Sequence, residues 1–151
     1  MKRTIITTAT AAVFLLLSCK EGAKKEPAPV DVQELTSNQP ETHGTELKAE
    51  DITLGTSLDA AKVSAGKATY ELKCQSCHRL TAEKLVGPGW LDVTKRREPV
   101  WIMNMITNVD MMLEKDPEAQ KLLEQCMVRM PNQNISKDQA RDVLEFMRSN
   151  D

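Results

Sequence analysis

The sequence has little aromatic bulk. Phe, Trp and Tyr make up 3% of its 151 residues, and Phe14 lies in an apolar N-terminal stretch. Aromatic side chains supply much of the volume of a small core, so this core is expected to be filled by other means. Positive charge is not in excess either. The formal net charge is −2, which argues against a general nucleic-acid-binding protein.

Histidine is also scarce, with two in the chain, but one of them ends the run Cys74-Gln75-Ser76-Cys77-His78. This is the C-x-x-C-H pattern of c-type haem attachment. Two thiols at this spacing can bond to both vinyl groups of one porphyrin, and the adjacent imidazole is held beneath the ring. The pattern predicts one covalent haem on Cys74 and Cys77, with His78 as an axial ligand of its iron. A buried haem would supply the missing apolar volume.

Other interpretations of the cysteine pair have less support. A structural zinc site needs four ligands, yet the chain has no second C-x-x-C and only one further histidine, His43. His43 is interpreted as a solvated side chain. A redox-active C-x-x-C would be expected in a βαβ context, which the sequence does not show. Cys126 fits a small buried apolar residue; a reactive thiol or a crosslink, including one to Cys19, are alternatives.

The first residues read as an export signal, with Lys2 and Arg3 before an apolar stretch that ends at Leu17. The stretch is shorter than the roughly 20 residues of a membrane-spanning helix and suits a signal peptide. Its end, Leu16-Leu17-Ser18-Cys19, resembles a bacterial lipobox. That resemblance implies a lipoprotein signal peptide at 1–18 and lipidation of Cys19. A conventional signal peptide and an uncleaved anchor are the alternatives.

Composition divides the rest of the chain in two. From Lys20 to Ala61 there are four basic and nine acidic residues, against 14 and 13 from Lys62 to Asp151. Acidic, proline-containing sequence with few large apolar residues cannot offset its ordering entropy. We therefore predict a lipidated, acidic, disordered tether at 19–57 and a folded domain at 58–151.

The domain is predicted to be all-α, with about four to five short helices. Leu58 to Lys73 has apolar residues at helical spacing. Further helices are expected over 100–108, from Asp116 to about Cys126 and over 137–148, because Pro or Asp-Pro opens two of them and a Ser-x-x-Gln capping box opens the last. No alternating β-pattern of useful length is present.

The domain resembles a class I monohaem cytochrome c over about Leu58 to Asp151. The motifs that carry the resemblance are C-x-x-C-H, Gly87-Pro88, Met130-Pro131 and, more weakly, Gly66, Tyr70 and Phe146. The resemblance implies that the first and last helices cross at Gly66 and Tyr70, with Phe146 as the aromatic partner; a tolerated surface glycine is the alternative. It also implies that the Pro88 carbonyl accepts a hydrogen bond from His78 Nδ1–H.

The second axial ligand is sought among eight methionines. A residue before proline is pushed into extended geometry, so Met130 is expected in a loop that can turn a side chain inward. Met130-Pro131 also matches the family's ligand motif, 52 residues after His78. Met130 is the predicted ligand; Met127 and an open distal site are the alternatives.

His/Met ligation raises the reduction potential and closes both axial positions, which favours electron transfer over enzymatic chemistry. We expect a monomeric, non-enzymatic electron carrier, lipid-anchored on the periplasmic side of a bacterial membrane. Its transient partners would be a quinol-oxidising complex and a terminal reductase of oxygen or nitrogen oxides, such as nitrous oxide reductase. A haem sensor or enzyme with an open distal site is the alternative, and a structural metal protein is disfavoured.

Basic residues in segments expected near the haem rim could steer an acidic partner, or could form an ordinary solvated surface. They are Lys73, Arg79, Lys84, Lys95, Arg96, Arg97 and Arg129.

Overall fold

A computed structural model describes residues 44–151. The predicted signal peptide at 1–18, lipidation at Cys19, the first part of the predicted tether and His43 lie outside these residues. Across the described part, no helix is long and apolar enough to cross a membrane.

The predicted all-α class is confirmed: residues 44–151 contain no β-strand, and one isolated bridge pairs His78 with Lys84. A short 3-10 turn at Ala49–Asp51 precedes six α-helices in this part of the chain, which is more than the four to five expected. The helices are α1 (Ala60–Lys73), α2 (Val93–Arg96), α3 (Pro99–Thr107), α4 (Val109–Lys115), α5 (Pro117–Cys126) and α6 (Lys137–Ser149).

The two unexpected helices have local causes. Asn108 (φ −150°, ψ 62°) ends α3 and at once caps α4, because its side chain accepts a hydrogen bond from the Met111 amide. Apolar residues continue on both sides of Asn108, so their pattern did not predict that one helix ends and another begins there. Helix α2 has only four residues and begins after Asp92 in left-handed backbone, so it is too short for periodicity to show.

The helix starts predicted from capping residues are confirmed. Pro99 and Pro117 occupy first turns, and the Asp116 side chain accepts from the Ala119 amide. Ser136 and Gln139 form the reciprocal capping box of α6. These side chains satisfy amides that the first helical turn leaves without partners.

The predicted crossing of the first and last helices is also confirmed. Gly66 on α1 is buried against α6; a Cβ there would overlap the Asp142 carbonyl and lie 2.9 Å from Phe146 Cβ. The Tyr70 and Phe146 rings fill the space beside it, with centroids 5.4 Å apart. A glycine is therefore needed because the two backbones come too close for a side chain between them.

Residues 44–57, which we predicted to be part of the tether, pack on the helices. Leu47 is buried, and its amide and carbonyl form 2.9 Å hydrogen bonds with the side chain of Asn104 on α3. Ile52 and Leu54 pack against the same core. The prediction gave more weight to the acidic composition of this segment than to these three apolar residues. Their burial against the core favours an ordered segment.

A buried carboxylate joins this segment, α1 and α6. The Glu145 side chain is 1% exposed and contacts Arg141 and Arg148 at 2.5 and 2.9 Å. It also accepts a 3.1 Å hydrogen bond from the amide of Asp59, the N-cap of α1. The same two arginines donate to the carbonyls of Thr53 and Gly55. Charge-assisted bonds thus hold three parts of the fold at one point.

Candidate haem site

The C-x-x-C-H run continues the turn that ends α1. The amides of Cys77 and His78 both donate to the Cys74 carbonyl, at 3.0 and 2.9 Å. Two further amides, those of Val86 and Gly87, donate hydrogen bonds to the Cys77 carbonyl at 3.2 and 2.9 Å. Because backbone bonds hold both sides of this turn, His78 is presented at a fixed point below the end of the helix.

The ring of His78 is oriented by one hydrogen bond. Its Nδ1 lies 2.9 Å from the Pro88 carbonyl oxygen. Since a carbonyl only accepts, Nδ1 carries the proton and Nε2 keeps its lone pair. Burial lowers the pKa of His78, although the bond to Pro88 opposes the shift. The neutral imidazole that a metal requires is thus favoured.

Close packing fixes the same ring from the side. A Cβ on Gly87 would overlap His78 Cε1 and lie 2.9 Å from both ring nitrogens. The Trp90 ring lies 5.3 Å from the His78 ring, and the Tyr70 ring lies 5.0 Å from Trp90. The Tyr70 hydroxyl donates to the His78 carbonyl at 2.8 Å. The imidazole therefore has little freedom to rotate.

His78 opens on a large, mainly apolar cavity. It is partly open to solvent. Ile102, Met105 and Ile106 of α3 and Leu122 and Leu123 of α5 form much of its wall. Among the described residues that line it, the charged groups are arginines (Arg96, Arg97 and Arg129), and no carboxylate is present. An apolar cofactor with anionic substituents fits these walls.

The two candidate methionines differ in position. Met130 and Pro131 line the cavity together with His78. Met127 does not line it, and its side chain is 85% exposed. Lys73 at the end of α1 donates to the Gln133 carbonyl at 3.1 Å, which ties the Met130 loop to the C-x-x-C-H turn. The nitrogen and sulfur donors that line this cavity are the imidazole of His78, the thioethers of Met105, Met130 and Met147, and the thiols of Cys77 and Cys126.

The thiol of Cys74 is unsuited to thiolate chemistry in this structure. Burial raises its pKa to about 11, whereas reactive and metal-binding cysteines have lowered pKa values. Within residues 44–151 no group of three or more His, Cys, Asp and Glu side chains could hold a metal ion. The redox-active and zinc interpretations of the cysteine pair therefore find no support in the described part of the chain.

Comparison with known proteins agrees with this geometry. A family model described as Cytochrome c matches residues 63–151. The chain belongs to the cytochrome c family. This family binds covalently attached haem c with iron, so the predicted cofactor is confirmed. Its members are generally electron carriers, typically exported from the cytoplasm. This chain is accordingly an electron-transfer haem protein; its lipoprotein form remains a prediction.

Solved structures give the same result. The chain is similar to a cytochrome c from Rhodothermus marinus, with 35% identity over 74% of this chain and 96% of that one and a TM-score of 0.66. An engineered form of that cytochrome, described as Rma TDE, is 34% identical over 73% and 92% of the two chains, with a TM-score of 0.64. The same engineered form bound to a carbene intermediate has a TM-score of 0.61. No curated protein matches the chain significantly.

The seven basic residues expected near the haem rim form ion pairs or hydrogen bonds within the cytochrome. Arg79 pairs with Glu83, Lys95 with Asp92, Arg97 with Glu118 and Arg129 with Asp110. Lys73, Lys84 and Arg96 donate to backbone carbonyls. Arg97 also lies 4.6 Å from the centroid of the Trp101 ring. The four paired residues are neutralised by carboxylates, whereas Lys73, Lys84 and Arg96 keep their charge, so steering of an acidic partner and an ordinary solvated surface both stay predictions.

The sequence did not identify every residue of the cytochrome's site. Gly87 was named only as part of the Gly87-Pro88 motif and Trp90 was given no role, because their contacts with His78 depend on how this loop folds back. Cys126 was expected to be buried; it is half-buried and lines the cavity. Nothing in its sequence position indicated that orientation.

Proposed function

We propose that this protein is a membrane-tethered monohaem electron carrier in which Cys74 and Cys77 hold the haem and His78 and Met130 are its axial ligands. The observation that carries the proposal is that His78 and Met130 line one apolar cavity, while the alternative ligand Met127 points into solvent. The haem iron supplies one-electron chemistry, and the chain's own side chains determine its potential and access.

The Pro88 carbonyl has a defined task in this proposal. By accepting from His78 Nδ1–H at 2.9 Å, it holds the ring and raises the basicity of Nε2. As an iron ligand, the thioether of Met130 would favour the ferrous state and raise the reduction potential. His78 and Met130 together would exclude exogenous molecules from the iron, and electrons would enter and leave through the part of the cavity that is open to solvent.

The proposal extends to the membrane. The Leu16-Leu17-Ser18-Cys19 sequence supports lipidation of Cys19, and several acyl chains at about 0.8 kcal/mol per buried CH₂ would hold the protein on a membrane surface. Confinement to a surface raises the local concentration of partners, so that weak docking suffices. The electron donor would be a quinol-oxidising complex, and the acceptor a terminal reductase of oxygen or of a nitrogen oxide.

The ligand assignment is tested by optical spectroscopy of the haem-loaded protein with and without carbon monoxide. Wild type should not bind CO rapidly, whereas Met130→Ala should bind it and show a lower reduction potential. Met127→Ala is the matched control, since it removes an exposed methionine three residues away and should leave both properties unchanged. Rapid CO binding by wild type would support the sensor or enzyme alternative instead. An unchanged spectrum in Met130→Ala would move the ligand elsewhere.

The membrane part is tested separately by fractionation. Cys19→Ala should move the cytochrome from the membrane to the soluble fraction, while Cys126→Ala should remain on the membrane. A Cys19→Ala protein that stays membrane-bound would refute the lipid anchor without affecting the electron-transfer assignment.

A further inference from the structure

The loop at 79–92 carries two of the contacts that orient the His78 ring. The Pro88 carbonyl accepts from its Nδ1, and the Trp90 ring packs on it. The side chains at 81–86 are exposed to solvent, so side-chain packing contributes little to the rigidity of this part of the loop. Hydrogen bonds from outside the loop therefore matter for the position of Pro88.

Helix α2, which follows the loop, receives its cap from a residue distant in sequence. Asp92 at its N-terminus has left-handed backbone, and its side chain forms no capping hydrogen bond. Instead, Oδ2 of Asp151 accepts hydrogen bonds from the Thr94 amide, at 3.2 Å, and from the Thr94 hydroxyl. Lys95 Nζ donates to the Asp151 carbonyl at 2.8 Å. Asp151 thus takes the place of an N-cap side chain.

The preceding residue holds the other end of the loop. Asn150 Nδ2 donates to the Leu80 carbonyl at 2.9 Å, and Leu80 lies two residues after His78. Asn150 and Asp151 directly follow α6, which is buried along one face. The bonds to Leu80 and Thr94 therefore join both ends of the loop to one rigid element.

Helix α2 passes this restraint on to the residues that contact the imidazole. The Val93 amide donates to the Trp90 carbonyl at 3.0 Å. The Arg96 guanidinium donates to the Gly89 carbonyl at 3.0 Å, and Gly89 directly follows Pro88. If α2 loses its cap, both the carbonyl and the indole ring that orient His78 become less firmly held.

We propose that Asn150 and Asp151 are positioning residues that clamp the two ends of the 79–92 loop and so hold the Pro88 carbonyl against His78. This inference rests on the proposed ligation of the iron by His78 and concerns how the chain sets the reduction potential. A firm hydrogen bond at Nδ1 makes Nε2 a stronger donor, which stabilises the ferric state. Loosening the clamp should weaken that bond and raise the potential.

The test compares Asp151→Ala and Asp151→Asn in the haem-loaded protein by potentiometric titration. In Asp151→Ala the ferrous-to-ferric ratio at a fixed solution potential should rise about threefold, or about 28 mV at about 59 mV per tenfold for one electron. The His78 Nδ1 proton, followed by NMR, should exchange with solvent about tenfold faster because the loop opens more often.

Asp151→Asn should restore both properties, because one amide oxygen suffices as the acceptor for Thr94. Oδ1 of Asp151 is buried and has no hydrogen-bond partner within residues 44–151. Asp138→Ala is the matched control: Asp138 is exposed at the other end of α6, and removing its carboxylate should change neither the potential nor the exchange rate.

The outcomes separate the clamp from the ligand assignment. If Asp151→Asn raises the ratio as much as Asp151→Ala, the effect is one of charge and the positioning role is refuted. Wild-type potential and exchange in Asp151→Ala, even with lower stability to guanidinium, would make the residue structural only. A fall in the ratio would also overturn the clamp, because it would indicate water entering the site.

Should Asp151→Ala fail to fold, Asn150→Ala tests the other end of the loop. The same rise in the ratio and faster exchange are expected, and wild-type values would overturn the clamp. A wild-type spectrum in which the His78 ring protons lack the shifts caused by a bound haem iron would instead refute ligation by His78.

Discussion

Substituting Gly66 by alanine should separate the two helices that frame the domain. The new Cβ would overlap the Asp142 carbonyl and lie 2.5 Å from its carbon and 2.9 Å from Phe146 Cβ. Because the first obstacle is backbone rather than a flexible side chain, the overpacking cost should lie near the upper end of the usual range, about 3 kcal/mol. Alanine recovers about 1 kcal/mol of helix propensity. The net loss of unfolding free energy is therefore about 2 kcal/mol.

Denaturation of the haem-loaded protein by guanidinium and by heat, each followed by far-ultraviolet circular dichroism, measures this loss. In a domain of this size 1 kcal/mol corresponds to about 4–8 °C, so the melting temperature should fall by about 10 °C. Ala65→Gly is the matched control: Ala65 is exposed on the same helix, and the change should cost only the propensity difference of about 1 kcal/mol. A Gly66→Ala variant as stable as wild type, or more stable, would refute the close helix crossing.

Two further predictions concern the contacts that hold residues 44–57 and α6. For Glu145, burial raises the pKa, but the bonds from Arg141, the Asp59 amide and Arg148 outweigh it and hold the pKa below its usual value. Its stabilisation is complete above the unfolded pKa and is lost as the pH falls through the lower folded value. Glu145→Gln should cost about 3 kcal/mol at neutral pH and flatten the acid side of a stability–pH curve; an unchanged curve would contradict this. Asn104→Ala should leave the Leu47 amide and carbonyl without partners, cost about 2 kcal/mol, and expose residues 44–57 to limited proteolysis with little change in haem absorption. Resistance equal to that of wild type would contradict the packing of this segment.

The local signals in the sequence predicted much of the fold. Capping residues act within a single helical turn, so Pro99, Asp116 and Ser136 marked helix starts correctly. The break at Asn108 was missed because its cause is one side chain that serves two helices. Order in residues 44–57 was missed because it depends on Asn104 and Arg141, which are distant in sequence.

The sequence alone determined the cofactor and its attachment chemistry, because two thiols and an imidazole at the C-x-x-C-H spacing need only one turn of backbone to meet one porphyrin. The sequence also favoured Met130 over Met127 as the second ligand, because Pro131 follows it. Only the tertiary structure shows that Met130 lines the cavity with His78 whereas Met127 is exposed, since these positions depend on a left-handed residue at the end of α5 and on how the following loop packs.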